Sequence, residues 1–265
     1  ADSIEKDIYG MNALQGAIRR NHLEIARILI EEGSPVNHTD IRGQSVLQDA
    51  VEGGHLEIVR LLLEKGASPQ HQNKRGETAL MLAAAKGQLQ ITDLLLKFRA
   101  SQLVRDRFDR SAWMHAADHG QMELIQRLAR DGYPMADKLV YAASRGYTDV
   151  VRSLLRLNAD LESRDGRNWN ALMWASNNGH TQTVELLIQQ GANVNALDSN
   201  NWTPLMLAAG GGYIETVQAM LNAKADFSIR DKDHWTALTW ASMKGHTRIV
   251  ELILRSGAQI NEQGP

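Results

Sequence analysis

Apolar residues recur along this chain at helical spacing, in short blocks punctuated by glycine. The clearest block runs from His55 to Gly66, where Leu56, Val59, Leu62 and Leu63 fall on one face of a helix. Gly66 stands where a left-handed residue ends a helix, and Gly33, Gly132, Gly191 and Gly257 take the same place in other blocks. Arg99, Asn158 and Lys224 replace it elsewhere. Asn tolerates the left-handed conformation, whereas it costs Arg or Lys roughly 1 kcal/mol. A second, shorter helix is predicted ahead of each block. Thr203 caps one of them, its hydroxyl accepting from a free amide of the first turn, and Pro204 fills the first helical position, where a missing amide costs nothing. Ser45, Thr78, Ser111 and Thr236 occupy the same cap slot, with Asn12 and Asn170 in two further units. Leu205, Ala208 and Ala209 give this helix a small-residue face, which lets neighbouring units approach closely.

The blocks are periodic. Gly54, Gly87 and Gly120 are 33 residues apart, as are Gly179, Gly212 and Gly245. Asn21 takes the slot 33 before Gly54, and Gly146 follows Gly120 by only 26. Such a period means stacked helix pairs, none of which can bury its apolar face alone. The predicted fold is an all-α repeat solenoid of helix-turn-helix pairs with projecting β-hairpin loops. Its eight repeats fall at about 7–39, 40–72, 73–105, 106–134, 135–164, 165–197, 198–230 and 231–263. The fifth is short by 7 residues, lost between Tyr133 and Leu139 where a hairpin tip belongs. Asp137 is expected to cap its first helix, and a gap in the row of hairpins is expected between repeats one to four and five to eight. Repeat eight keeps Ile249, Val250, Leu252, Ile253 and Leu254 like an interior unit, although terminal repeats usually carry a polar outer face. Self-association or a covering partner is one reading of that end.

On these residues the chain resembles an ankyrin-repeat protein. The pattern Asp-x-x-Gly-x-Thr-Pro-Leu-His-x-Ala-Ala-x-x-Gly-His-x-Glu-Ile-Val is followed most closely at 40–67, 165–192, 198–225 and 231–258. The resemblance covers nearly the whole length. It implies paired antiparallel helices with perpendicular hairpins, and protein–protein binding along the hairpins and inner helices. It implies no particular partner.

Composition narrows the function classes. Of 265 residues 43% are hydrophobic, so a large core is available, and the net charge of -2 argues against a nucleic-acid surface, which needs a basic stripe. No apolar run approaches the roughly 18 residues of a membrane helix. There is no cysteine, hence no disulfide, thiolate nucleophile or cysteine metal site. A chain beginning at Ala1 without Met fits a soluble protein that is cytoplasmic or exported, with export slightly favoured.

The functional signal is aromatic. Trp169, Trp202 and Trp235 sit one residue before three successive helix caps, where earlier repeats place Met11, Gln44, Glu77 and Arg110. The resemblance puts this slot at the hairpin–helix corner of the concave face. A second column, two residues past the conserved leucine, holds Tyr141, Trp174, Leu207 and Trp240, against Gly16, Asp49, Leu82 and His115 earlier. Gly210 and Gly211 lie between and would floor a notch. Two readings stand side by side. The tryptophans stiffen the stack, as Trp113 does in the core; or they anchor a partner, since tryptophan dominates interface hot spots. Arg145, Asn177, Asn178 and Lys244 would supply polar rim contacts. Cation–π contact with a basic ligand is a further option, to which only Asp233 adds charge, because Asp165, Asp198 and Asp231 are turn residues.

Other signals carry less. His22, His55, His180 and His246 are expected to hydrogen-bond locally. His115 and His119 have zinc-like spacing but lack the glutamate of a metalloprotease motif. Gly210–Gly212 ends a helix where a phosphate loop would begin one. Arg19 and Arg20 are expected to be solvated. No nucleophile–base or metal constellation converges, so no enzyme and no cofactor is expected. The primary reading is a non-catalytic scaffold binding a partner protein segment on repeats five to eight. The alternatives are a small-molecule or cation sensor in the tryptophan-lined groove, and a structural spacer or brace for a further domain.

Overall fold

The computed structural model describes residues 6–129 and 135–258. The chain divides into two compact units, Ala1–Tyr133 and Pro134–Pro265, at the shortened repeat. In the first unit the inner helices are α1 (Ala13–Arg19), α3 (Val46–Gly53), α5 (Ala79–Ala85) and α7 (Ala112–Asp118). Their outer partners are α2 (Leu23–Glu31), α4 (Leu56–Glu64), α6 (Leu89–Lys97) and α8 (Met122–Ala129). In the second unit the inner helices are α9 (Met135–Ser144), α11 (Ala171–Asn177), α13 (Pro204–Gly211) and α15 (Ala237–Met243). The outer ones are α10 (Thr148–Arg156), α12 (Thr181–Gln189), α14 (Ile214–Asn222) and α16 (Thr247–Arg255). Within each unit every inner helix packs on its own outer helix and on the next inner helix. Among the described residues no helix is long and apolar enough to cross a membrane.

Local chemistry sets these elements. The side chains of Asn12, Ser45, Thr78, Ser111, Asn170, Thr203 and Thr236 each accept from the amide three residues on, which fixes the start of the inner helix. The helix–helix corner is left-handed at Asn21 and at all seven glycines of the period from Gly54 to Gly245. Arg99, Asn158 and Lys224 keep the left-handed conformation at the ends of their outer helices, each at φ 61°. Gly132 and Tyr133 lie outside the described residues. Leu205, Ala208 and Ala209 are wholly buried, as are Val59 and Leu62, and Trp113 is core, its indole donating to the Ile125 carbonyl at 3.2 Å.

Four expectations change. The projecting loops are turns: among the described residues only the Thr39–Ser45 bridge is strand-like. Asp137 is not a cap, because α9 already begins at Met135; this helix has 10 residues where α7 and α11 have 7, so extra helix replaces part of the lost loop. His180 and His246 do not bond locally, since their Nε2 atoms reach the carbonyls of Ser144 and Gly210, one repeat earlier. Arg19 is not solvated but tied to two buried aspartates. In α16, Ile249 and Ile253 are fully buried, while Val250, Leu252 and Leu254 are half-buried.

Candidate functional site

Each projecting loop opens on an acid or amide that folds the loop onto itself. Asp7, Asp40, Asn73, Asp106, Asp165, Asp198 and Asp231 each accept, through Oδ1, from the amides two and four residues on. The other carboxylate oxygen then needs a donor, because a buried acceptor left unpaired is costly. In the C-terminal unit indoles supply it. Trp174 donates to Asp165 at 2.8 Å and Trp240 to Asp231 at 2.9 Å, in both cases nine residues after the aspartate. Repeat seven has Leu207 at that ninth position, which cannot donate. Asp198 instead receives the Trp169 indole of the preceding repeat, at 3.0 Å.

The N-terminal unit follows the same rule with histidine and arginine donors. His115, nine residues after Asp106, donates to it at 3.0 Å, and Arg110 adds a bond at 2.9 Å. Asp40 has Asp49 at its ninth position, and Arg19 from the preceding repeat bridges both, at 3.2 and 2.9 Å. Burial alone would raise Asp106 and Asp40, but loop amides and arginines outweigh it and hold both below the usual carboxylate range. At Asp49 burial wins over Arg19 and pushes the carboxyl up. Burial also pushes the His115 imidazole down, against the bond to Asp106, so it is neutral at pH 7. His119 turns its Nδ1 to the His115 carbonyl. Both rings of the zinc-like pair therefore have local partners.

The tryptophan ladder is two clusters. Trp169 meets Trp174 edge-on at 4.9 Å. Trp240 is flanked by Trp202 at 4.4 Å and by Trp235 at 4.8 Å. Trp169 and Trp202 lie over a buried patch of Met173, Ala196 and Leu207. All five are half-buried. Their indole N–H groups differ: those of Trp169, Trp174 and Trp240 are spent on aspartates, and among the described residues those of Trp202 and Trp235 have no acceptor. Trp202 and Trp240 are in contact, which leaves no slot for a third ring between them.

The surrounding candidates divide likewise. Tyr141 is half-buried with the Arg145 guanidinium 5.6 Å above its ring, and Arg167 stands 5.6 Å over Trp174. Asn178 donates to the Ser144 carbonyl at 2.8 Å, and Asn177 donates to Asn178. Lys244 is exposed at the end of α15, as are Arg145 and Asp233. Gly210 faces Trp240, whose Cβ lies 4.0 Å from where its own would be, and Gly211 makes room for the Tyr213 ring. The expected notch is thus walled by Trp240 and Tyr213. Spacing showed the tryptophans but not the indole–aspartate bonds. An aspartate followed at its ninth position by His or Trp is the signal that would have revealed two of these.

A family model described as ankyrin repeats in three copies matches residues 1–73, 65–138, 139–231 and 192–264. A comparison with curated proteins gives no match. The matches run across almost all of the chain, and with its paired, capped helices they show that it belongs to the ankyrin-repeat family.

Proposed function

We propose that the C-terminal unit holds a segment of a partner protein against Trp202 and Trp235, with no catalytic step. Ankyrin repeats are in general protein–protein interaction modules, and the family is typically non-catalytic. The observation that carries the finer reading is the surplus of donors. Three of five indoles are consumed in closing loops, whereas Trp202 and Trp235, partly buried like the others, pack against Trp240 and are without an acceptor of their own among the described residues. A partner backbone carbonyl or carboxylate can accept from either N–H. The ring faces supply the apolar area that makes tryptophan a frequent hot spot.

In this reading Trp169, Trp174 and Trp240 brace the surface, Gly210 and Gly211 seat Trp240 and Tyr213 beneath it, and Tyr141 extends it. Arg145, Asn177, Asn178 and Lys244 form the polar rim. The contact between Trp202 and Trp240 favours a partner laid across the rings over a small molecule slotted between them. The test is affinity capture from source-cell lysate with wild type and a Trp202→Ala/Trp235→Ala variant, both checked for folding by circular dichroism. A protein retained by wild type and lost by the equally folded variant supports the site. Equal capture by both overturns it.

A further inference from the structure

The N-terminal unit contains a polar pocket with a donor that nothing uses. It lies between the loops of repeats two and three and encloses about 410 Å³. Gln44, only 5% exposed, lines it, and the amide Nε2 of this residue is buried with no hydrogen-bond partner. The orientation of that amide is fixed by its neighbours. Asn73 is the one loop-opening residue in the described repeats that carries an amide instead of a carboxylate. Its Oδ1 accepts from the amides of Arg75 and Glu77, so its Nδ2 must point outward, where it donates to Gln44 Oε1 at 3.1 Å and Glu77 Oε2 at 2.9 Å. Gln44 therefore presents oxygen to Asn73 and is left with an unpaired N–H donor. A buried unpaired donor is costly, and each one calls for an explanation.

The pocket is also cationic at its loop tips. Arg42, Lys74 and Arg75 line it and are exposed. Arg42 pairs with Asp40, while among the described residues Lys74 and Arg75 have no ion pair. Two acids line it as well. Glu77 is held by Asn73, and Glu52 is exposed. We propose that this pocket receives a single carboxylate side chain from an extended segment of a partner protein, the carboxylate accepting from the Gln44 amide and drawn in by Lys74 and Arg75. Glu52 disfavours a second acid beside the first, so an isolated Glu or Asp fits better than an acidic run. Apolar flanks suit it too. Ile41 on the pocket wall is 55% exposed, and on the adjoining loop, joined by the Ile41 amide to the Tyr9 carbonyl at 3.0 Å, Ile8 and Tyr9 are 85% and 56% exposed. This site is separate from the tryptophan surface and does not depend on it.

Fluorescence polarisation of a labelled, end-capped octapeptide with one glutamate among leucines and serines tests the assignment, against the same peptide carrying glutamine. Gln44→Glu keeps the acceptor for Asn73 and replaces the donor by a charge. Gln44→Met removes the donor without adding one. Lys74→Gln/Arg75→Gln removes the attracting charge from exposed positions. The glutamate peptide binds wild type, and each change weakens it about tenfold or more, a difference of about 1.4 kcal/mol. Trp202→Ala/Trp235→Ala leaves it unchanged. Equal binding of the two peptides, absence of binding, or binding within about twofold of wild type by the two folded Gln44 variants would overturn the proposal. Displacement by free glutarate as effective as by unlabelled peptide would overturn the assignment to a protein segment.

Discussion

Trp240→Phe and Trp235→Phe are the same substitution on neighbouring rings, and the structure gives them different costs. Both keep an aromatic face in the Trp202–Trp240–Trp235 cluster. Only the first removes a hydrogen bond, the 2.9 Å contact that closes Asp231, a residue just 3% exposed. Hydrogen bonds to charged groups contribute about 1.5–3 kcal/mol, and the partial exposure of Trp240 puts this one near the lower end, about 1.5 kcal/mol. Trp235 loses only ring area, about 0.5 kcal/mol or less at a partly exposed site. With a urea dependence of about 3 kcal/mol per molar, the midpoint falls by about 0.5 M for Trp240→Phe and by under about 0.2 M for Trp235→Phe. Far-ultraviolet circular dichroism follows both melts without relying on the altered fluorophore. For partner affinity the order is reversed, with Trp235→Phe the more damaging. Equal loss of stability in the two variants would refute the division into bracing and binding indoles.

The N-terminal unit gives two further expectations. Burial holds the His115 pKa below its ordinary value, so the unfolded chain takes up a proton as pH falls through about 6.5 while the folded chain resists. The stability from neutral His115 is complete above that value and is lost on acidification. The depressed Asp40 and Asp106 lose theirs only below the carboxylate range. Between about pH 7.5 and about pH 5 the urea midpoint of His115→Gln, which keeps a donor for Asp106, should fall less than that of wild type; equal falls would refute it. Gly33→Ala and Gly76→Ala both force alanine into a left-handed backbone, but a Cβ at Gly33 meets nothing within 4 Å, whereas one at Gly76 lies 2.9 Å from the Arg107 amide. Thermal melts should show a loss of about 1 kcal/mol for the first and clearly more, about 2–3 kcal/mol, for the second; similar losses would show that the loops separate freely.

What could be read in the sequence is what each repeat decides for itself. A cap needs only the residue before the helix and an amide three positions on, so Asn12, Ser45 and Thr203 were legible singly. The glycine corners were legible for the same reason, whereas at Arg99 and Lys224 residue type left the conformation open and the structure shows it left-handed. Bonds that cross repeats were not. Arg19 reaches Asp40 across 21 positions and Trp169 reaches Asp198 across 29, and no local pattern marks either pairing. Asp137 failed because the shortened repeat changes its local rule: α9 begins at Met135, three residues before a helix capped by Asp137 would begin, and the aspartate becomes part of the first turn.

The functional reading of the tryptophans therefore rests on counting donors against acceptors. Every loop from repeat six onward has one aspartate whose outer oxygen needs a partner: Asp165, Asp198 and Asp231. Three indoles satisfy them, and the ninth-position rule says which. Trp174 and Trp240 serve their own repeats, and Trp169 crosses over because Leu207 cannot donate. Five tryptophans occupy this surface, so two exceed what the loops require. In the first unit Arg19, Arg110 and His115 do the equivalent work. A repeat array can thus be closed without tryptophan. Trp202 and Trp235 have no loop to close, remain partly exposed, and pack tilted and edge-on against a ring already fixed by Asp231. A ring packed in a cluster and carrying a spare donor loses little conformational freedom when a partner binds, and this is why the proposed partner contact is placed on these two positions and not on the other three.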